Sequence, residues 1–463
     1  MRLQHLFFVA FLLLVGVTQA AGAKYIFLFI GDGMAQQQRL MAEEYQLKFK
    51  KKGLVINSMP YQSLTTTFSA NAHVTDSAAA GTAIACGEKT KNGYLCIDPS
   101  GTRKLTSVAT IAQGCGRKVG IVTSVTINHA TPAAFYANQI SRNNYYEIGL
   151  DLIASDFDYF AGGGMAQHNN TKSPAYQGNL YELAAKNGYT VTSSKADFEA
   201  LKPGVGKVLA RGSGGNLPYV INQADNITLA EFTRKGIELL DNPNGFFMMV
   251  EGGAIDHCGH NNDAGAMLHE TLAFDDAVKE AFVFAEKKPG QVLIIVTGDH
   301  ETGGLAIGNK GVTFHEGLEL LQYQDRSTDN NGNPACGTFM ERVNEESKAK
   351  ADFNIKDLLP LLVECYGMHP DLPENNPLKL TAEEMKSIEE ALARHLDPKN
   401  KAKRTLQLAV QSVRDRKAGI TWSSTGHTDA LVPTTAFGPG AEKFKGFNDN
   451  TDIAKIIHAI LIE

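Results

Sequence analysis

A chain of 463 residues with 43% hydrophobic and 20% charged residues carries enough apolar side chains to bury a large core, which excludes a disordered or collagen-like polypeptide. Its formal net charge of −6 argues against a surface that holds nucleic acid by releasing counterions. No nucleic-acid partner is expected, and any anionic substrate must be drawn by local charge.

Residues 1–23 read as a secretory signal peptide. Arg2 and His5 precede an apolar stretch over 6–17, and the small residues Ala20, Ala21 and Ala23 offer cleavage points. That stretch is shorter than the roughly 20 residues that span a bilayer, so the mature form is expected to be periplasmic or secreted, with no membrane partner. The C-terminal residues also lack the long apolar tail that a lipid-anchor signal requires.

Six short apolar runs follow, over 25–30, 119–125, 157–160, 246–250, 292–296 and 431–437, most of them ending in Gly, Asp, His or Thr. Such runs predict buried parallel strands. Helix-like segments lie between them, over 102–114, 179–187, 228–240 and 264–287. The alternation predicts an α/β fold, a mainly parallel central sheet flanked by helices on both faces, with ligands gathered at the carboxyl ends of its strands.

From 305 to 421 this rhythm is lost, and polar loops give way to charged helices such as 381–396, which Thr381 and Glu384 open as a capping box. The expected division is therefore a catalytic domain over 24–304 and 422–463, interrupted by an insertion over 305–421 that serves as a crown, lid or interface. Among the six cysteines, Cys86 and Cys96 flank a short loop and are expected to pair as a disulfide; Cys336 with Cys365 is a weaker second pairing. Cys258 reads as a small buried filler before it reads as a free thiol.

The strand exits carry the chemistry. Gly31-Asp32-Gly33 follows the first run, and an isolated Asp between glycines is ordinarily turn chemistry alone. After the run at 246, Glu251 to His260 packs Glu251, Asp256, His257 and His260 into ten residues, with Asp256 and His260 four apart so that one helical face can present both to one metal. After the run at 292 comes Thr297-Gly298-Asp299-His300-Glu301-Thr302-Gly303-Gly304, and before the last run comes Thr425-Gly426-His427-Thr428-Asp429. Oxygen and imidazole ligands without an obligatory thiolate suit zinc where histidine is present and magnesium where only oxygen is.

A nucleophile candidate lies in His73-Val74-Thr75-Asp76-Ser77-Ala78-Ala79. Ser77 stands where it would cap the alanine-rich helix that follows, and a helix N-terminus also favours a bound phosphate. No Gly-x-Ser-x-Gly elbow surrounds it, which argues against an ordinary serine hydrolase. Thr131 can offer a hydroxyl to a hard cation, and Arg142 can clamp two phosphate oxygens as a fork.

Taken together and in this order, the segments closely resemble the alkaline phosphatase family over about 25–305 and 422–440. The Asp76-Ser77-Ala78, Asp299 to Gly304 and Thr425 to Thr428 segments are the strongest signals. The resemblance implies two zinc ions and one magnesium. Asp256, His260 and His427 would hold one zinc, Asp32, Asp299 and His300 the other, and Asp32, Thr131 and Glu251 the magnesium. Ser77 would attack a phosphate monoester to give a phosphoserine, with Arg142 holding the free oxygens and Asp76 orienting Arg142. His257 stands where some members carry Lys, so an imidazole acting through water would replace a direct cation. His129 stands beside the magnesium site where some members carry Asp, and an imidazole there should weaken the preference for magnesium over zinc. A homodimer is also implied.

Two rivals differ in class: a phosphodiesterase of the same superfamily, and a non-catalytic metal-dependent phosphate-binding relative. Ser77-Ala78-Ala79 matches neither a threonine nucleophile nor a Cys/Ser-x-Pro-x-Arg context, and no expected ligand is missing.

Overall fold

The run that begins at Tyr25 becomes a strand because it can be buried on both faces. In the computed structural model, which describes residues 22–212, 214–223, 225–308, 317–332, 337–400, 402 and 404–463, the strand Tyr25–Gly31 is buried at every position. Tyr25, Phe27 and Phe29 enter one hydrophobic core; Ile26, Leu28 and Ile30 enter another across the sheet. Two-sided burial with a period of two is the signature of a central strand between helical layers.

In chain order the strands are β1 (Tyr25–Gly31), β2 (Tyr61–Thr66), β3 (Lys118–Thr123), β4 (Tyr159–Gly162), β5 (Tyr189–Thr192), β6 (Lys207–Arg211), β7 (Phe246–Glu251) and β8 (Val292–Gly298). They continue as β9 (Glu301–Thr302), β10 (Leu305–Ile307), β11 (Ile420–Trp422), β12 (His427–Thr428), β13 (Val432–Phe437) and β14 (Gly446–Asp449). Ten of them form one sheet in the order β14-β2-β13-β8-β1-β7-β3-β4-β6-β5. The pairs around β1, with β7 and β8, are parallel, as the apolar runs predict.

The run at 431–437 departs from that expectation. β13 is antiparallel to both β8 and β2. Its direction has a functional consequence: the start of β13 lies at the sheet edge where β1, β7 and β8 end. A histidine placed before β13 and carboxylates placed after the other three strands thus meet on one side.

The helices follow the expected spans with shifted starts. The helix anticipated over 102–114 covers only Val108–Gly114, because Ser107 caps it by accepting from the Thr110 N–H. Asn179 caps Leu180–Lys186, Thr228 and Glu231 form a capping box before Leu229–Leu240, and Asp263 caps Ala264–Lys287. The box anticipated at Thr381 and Glu384 is present before Ala382–Leu396.

The segment over 305–421 leaves and returns through one short antiparallel pair, Leu305 against Trp422 and Ile307 against Ile420. Leu358, Leu362, Leu392 and Val410 from its helices join the same core as Tyr25 and Phe27, so it is welded to one face of the sheet. The Cys86 and Cys96 sulfurs lie 3.2 Å apart, in contact but unbonded, and Cys258 is buried. Cys336 and nearly all of the signal segment lie outside the described residues. Among the described residues no helix is long and apolar enough to cross a membrane.

Candidate active site

β1 delivers Asp32 to the sheet edge fully buried, and β8 delivers Asp299 and His300 beside it, equally buried. His300 Nε2 lies 3.4 Å from Asp32 Oδ1 and 3.4 Å from Asp299 Oδ2. A tetrahedral cation bonded to nitrogen and oxygen at about 2.0–2.1 Å holds its ligand atoms about 3.3 Å apart, so this spacing is that of a coordination shell. Asp32 Oδ1 and Asp299 Oδ2 have no hydrogen-bond partner although both are buried. Burial, then mutual carboxylate repulsion, pushes Asp32 and Asp299 well above the usual carboxylate range. A cation among them would remove that penalty.

A second group forms on the helix Ala254–Asn261, where Asp256 and His260 share a face as their spacing predicts. Asp256 Oδ2 is 3.4 Å from His260 Nε2, Asp256 Oδ1 is 3.5 Å from His427 Nε2, and the two imidazole nitrogens are 3.2 Å apart. Each ring offers its Nδ1 to a backbone carbonyl, His260 to Thr425 at 2.6 Å and His427 to Thr75 at 2.8 Å. Carbonyls only accept, so both Nδ1 atoms carry the proton and both Nε2 lone pairs converge. Converging lone pairs next to a carboxylate call for a cation. Burial opposes ionisation of Asp256, but His260, His300 and His427 outweigh it and hold Asp256 well below its ordinary value.

His427 reaches this point because β12 pairs with β9, His427 opposite Thr302. Glu301 pins that junction: it accepts from Gln38 Nε2 at 2.7 Å, from the Gly304 and Leu305 N–H groups, and from Thr428 Oγ1. Thr302 Oγ1 in turn donates to Asp256 Oδ1 at 2.5 Å.

The third group contains Asp32, Glu251 and His129, whose candidate ligand atoms lie within 4.8 Å of one another. Thr131 Oγ1 donates to Asp32 Oδ2 at 3.1 Å. Glu251 accepts from Thr123 Oγ1, while its Oε1 is buried without a partner, as is His129 Nδ1. Burial raises Glu251 to about 7 and lowers His129 well below its ordinary value.

Ser77 faces these groups at the first position of the helix Ser77–Cys86, its Oγ 3.1 Å from His300 Nε2. The expected capping role belongs to its neighbour. Asp76 accepts from the Ala79 N–H at 3.0 Å, so Ser77 does not cap the helix and its hydroxyl is left for the site. The other Asp76 oxygen takes Arg142 Nη1 at 3.1 Å and the Gly93 N–H at 3.0 Å. Arg142 Nη2 is also 3.3 Å from His129 Nε2.

The alkaline phosphatase family model matches residues 23–462 of this sequence. The chain belongs to the alkaline phosphatase family. It is 34% identical over 398 residues to alkaline phosphatase 4 of Bacillus subtilis, covering 84% of this chain and 77% of that protein. To alkaline phosphatase 3 of the same organism it is 31% identical over 452 residues, with 95% and 89% covered. Two solved alkaline phosphatases superpose with TM-scores of 0.77. One, cold-active and from the psychrophile Shewanella sp., is 28% identical with 94% of this chain and 99% of that chain covered; the other, from Thermus thermophilus, is 25% identical with 96% and 93% covered. The chain is thus a metal-binding hydrolase of phosphate monoesters.

Residues that no motif announces also reach this part of the alkaline phosphatase chain. Asn331, from the segment over 305–421, has its amide oriented by donation to the Leu217 carbonyl at 3.0 Å, so its Oδ1 accepts from His257 Nδ1. Arg404 Nη1 donates to the His260 carbonyl at 3.1 Å, and Asp329 accepts from Asn261 Nδ2 at 2.7 Å. These three wall a cavity of about 290 Å³ that His257 and His260 also line.

Proposed function

We propose that the chain hydrolyses phosphate monoesters through a phosphoserine on Ser77, in a site for two zinc ions and one magnesium. Asp256, His260 and His427 would hold one zinc, Asp32, Asp299 and His300 the other, and Asp32, Glu251 and Thr131 the magnesium, with His129 beside it. When bound, these ions neutralise the carboxylates, lower the Ser77 hydroxyl pKa and stabilise charge on the leaving oxygen. The single observation that carries the reading is Ser77 Oγ, 3.1 Å from a His300 nitrogen that itself sits 3.4 Å from two buried carboxylates.

Ser77 Oγ loses its proton and bonds to phosphorus as the phosphorus–alcohol oxygen bond breaks, and the alcohol leaves with a proton. Water then displaces Ser77 from phosphorus and releases inorganic phosphate. The start of the Ser77–Cys86 helix favours the anion throughout. Arg142, oriented by Asp76, forks two phosphate oxygens, which a dianionic monoester offers better than a diester. His257, with Nδ1 committed to Asn331, has Nε2 available to the phosphate through a water. The segment over 305–421 acts as an insertion that walls the leaving-group side.

A second reading rests on the same 3.1 Å contact: His300 as a general base for Ser77 without metal. Chelation separates them, because a histidine base would keep phosphate release going in metal-free protein whereas the proposed site would lose it. Turnover of an aryl phosphate against a bis-aryl phosphate tests the preference for monoesters, and Ser77→Ala must abolish it. We further propose export directed by residues 1–23 and a homodimer; N-terminal sequencing of the mature protein and sedimentation test these.

A further inference from the structure

Glu270 lies on the helix Ala264–Lys287 and is 6% exposed. Its Oε1 accepts from the Val220 N–H at 2.7 Å. Among the described residues no donor reaches its other oxygen, and no lysine, arginine or histidine pairs with it. A glutamate this deep without a cation is uncommon, because an unpaired buried charge costs several kcal/mol.

The carboxyl opens on a cavity of about 250 Å³. Leu217, Ile227 and Leu229, all buried, give it apolar walls, while exposed Val220, Gln223 and Thr228 form its mouth. Ser124 and Gly252, the residues after β3 and β7, close its inner end. None of Asp32, Ser77, Asp256, His300 or Arg142 lines it. An apolar chamber with a few fixed polar groups is the ordinary form of a small-molecule site.

We propose that this cavity binds a small organic ammonium ion, its charge on the Glu270 carboxylate and its alkyl or single-ring aryl body against Leu217, Ile227 and Leu229. The carboxylate in low dielectric supplies charge specificity, and the walls supply the hydrophobic contact. Neutral molecules of the same shape gain only the second. Burial raises Glu270 to about 7, as expected of an acid with no resident counter-ion.

The test is calorimetric titration of the metal-loaded full chain with hexylamine and with hexanol at pH about 8, where Glu270 is ionised and an alkylammonium is charged. Hexylamine should bind at one site at least about tenfold more tightly than hexanol, and Glu270→Gln should erase that difference. Ala273→Phe, which fills the cavity from the same helix, should abolish binding of both while phosphate release from an aryl phosphate is unchanged. Equal affinity for amine and alcohol, no binding of either, or amine binding that survives Ala273→Phe would each mean that Glu270 is a structural acid with no ligand.

Discussion

Gly33 is held where only glycine fits without strain. Its φ is +73°, a left-handed conformation that costs a non-glycine residue about 1–2 kcal/mol. A Cβ there would lie 2.8 Å from Asp256 Cα and 2.8 Å from Thr302 Oγ1, inside contact distance of a backbone atom that cannot swing away. Overpacking of that kind adds about 1–3 kcal/mol, so Gly33→Ala should destabilise the fold by about 2–5 kcal/mol in urea unfolding. Because the clash pushes the Ala254–Asn261 helix from the end of β1, the two carboxylates Asp32 and Asp256 separate. Activity and zinc retention should fall further than stability does, by more than about tenfold in kcat/KM. Gly426→Ala is the control: a Cβ there would meet nothing beyond its chain neighbours nearer than Ser424 Oγ at 3.5 Å. A Gly33→Ala protein with unchanged urea midpoint, kcat/KM and metal content would mean that Gly33 does not hold Asp32 and Asp256 together.

Arg142→Ala removes two charge-assisted hydrogen bonds of about 1.5–3 kcal/mol each, so kcat/KM for an aryl phosphate should drop about 10²–10⁴-fold and the loss for a diester should be smaller. Glu270 has its acid form favoured by burial, with a folded value of about 7 against 4.5 unfolded. The stability this contributes is complete below 4.5 and is lost as pH rises through about 7. Glu270→Gln, which cannot ionise, should therefore gain up to about 3 kcal/mol over the parent at pH about 9 and little at pH about 4, measured by urea unfolding. His129→Asp should raise magnesium affinity and relieve inhibition by excess zinc, both read in metal titrations of activity; unchanged values would separate His129 from that pocket.

The central strands are legible in sequence because both faces are buried and long runs within them, such as 246–250 and 292–296, are apolar. β2 is not, since its side chains alternate between buried and exposed and its composition is polar. β14 is equally hidden, with Gly446 and Phe447 exposed. The antiparallel sense of β13 has no local signature, as direction is decided by its partners. Site residues that follow strands can be read because chemistry collects at strand exits. Asn331 and Arg404 cannot, for they stand in polar sequence with no ligand-like spacing around them, and their partners lie 74 and 144 positions away. The capping assignment turns on geometry too small for sequence to resolve, since Asp76 and Ser77 are both good caps and only one can take the Ala79 N–H.

Ser77 is proposed as the nucleophile, and bound metal as what makes it one. Acid quench of the metal-loaded enzyme during turnover, followed by peptide mass spectrometry, tests it directly. A phosphate on the peptide containing Ser77, absent after chelation and restored by zinc and magnesium, is the predicted result. Unmodified Ser77 during active turnover, or phosphoserine formed at full rate in metal-free protein, would contradict it.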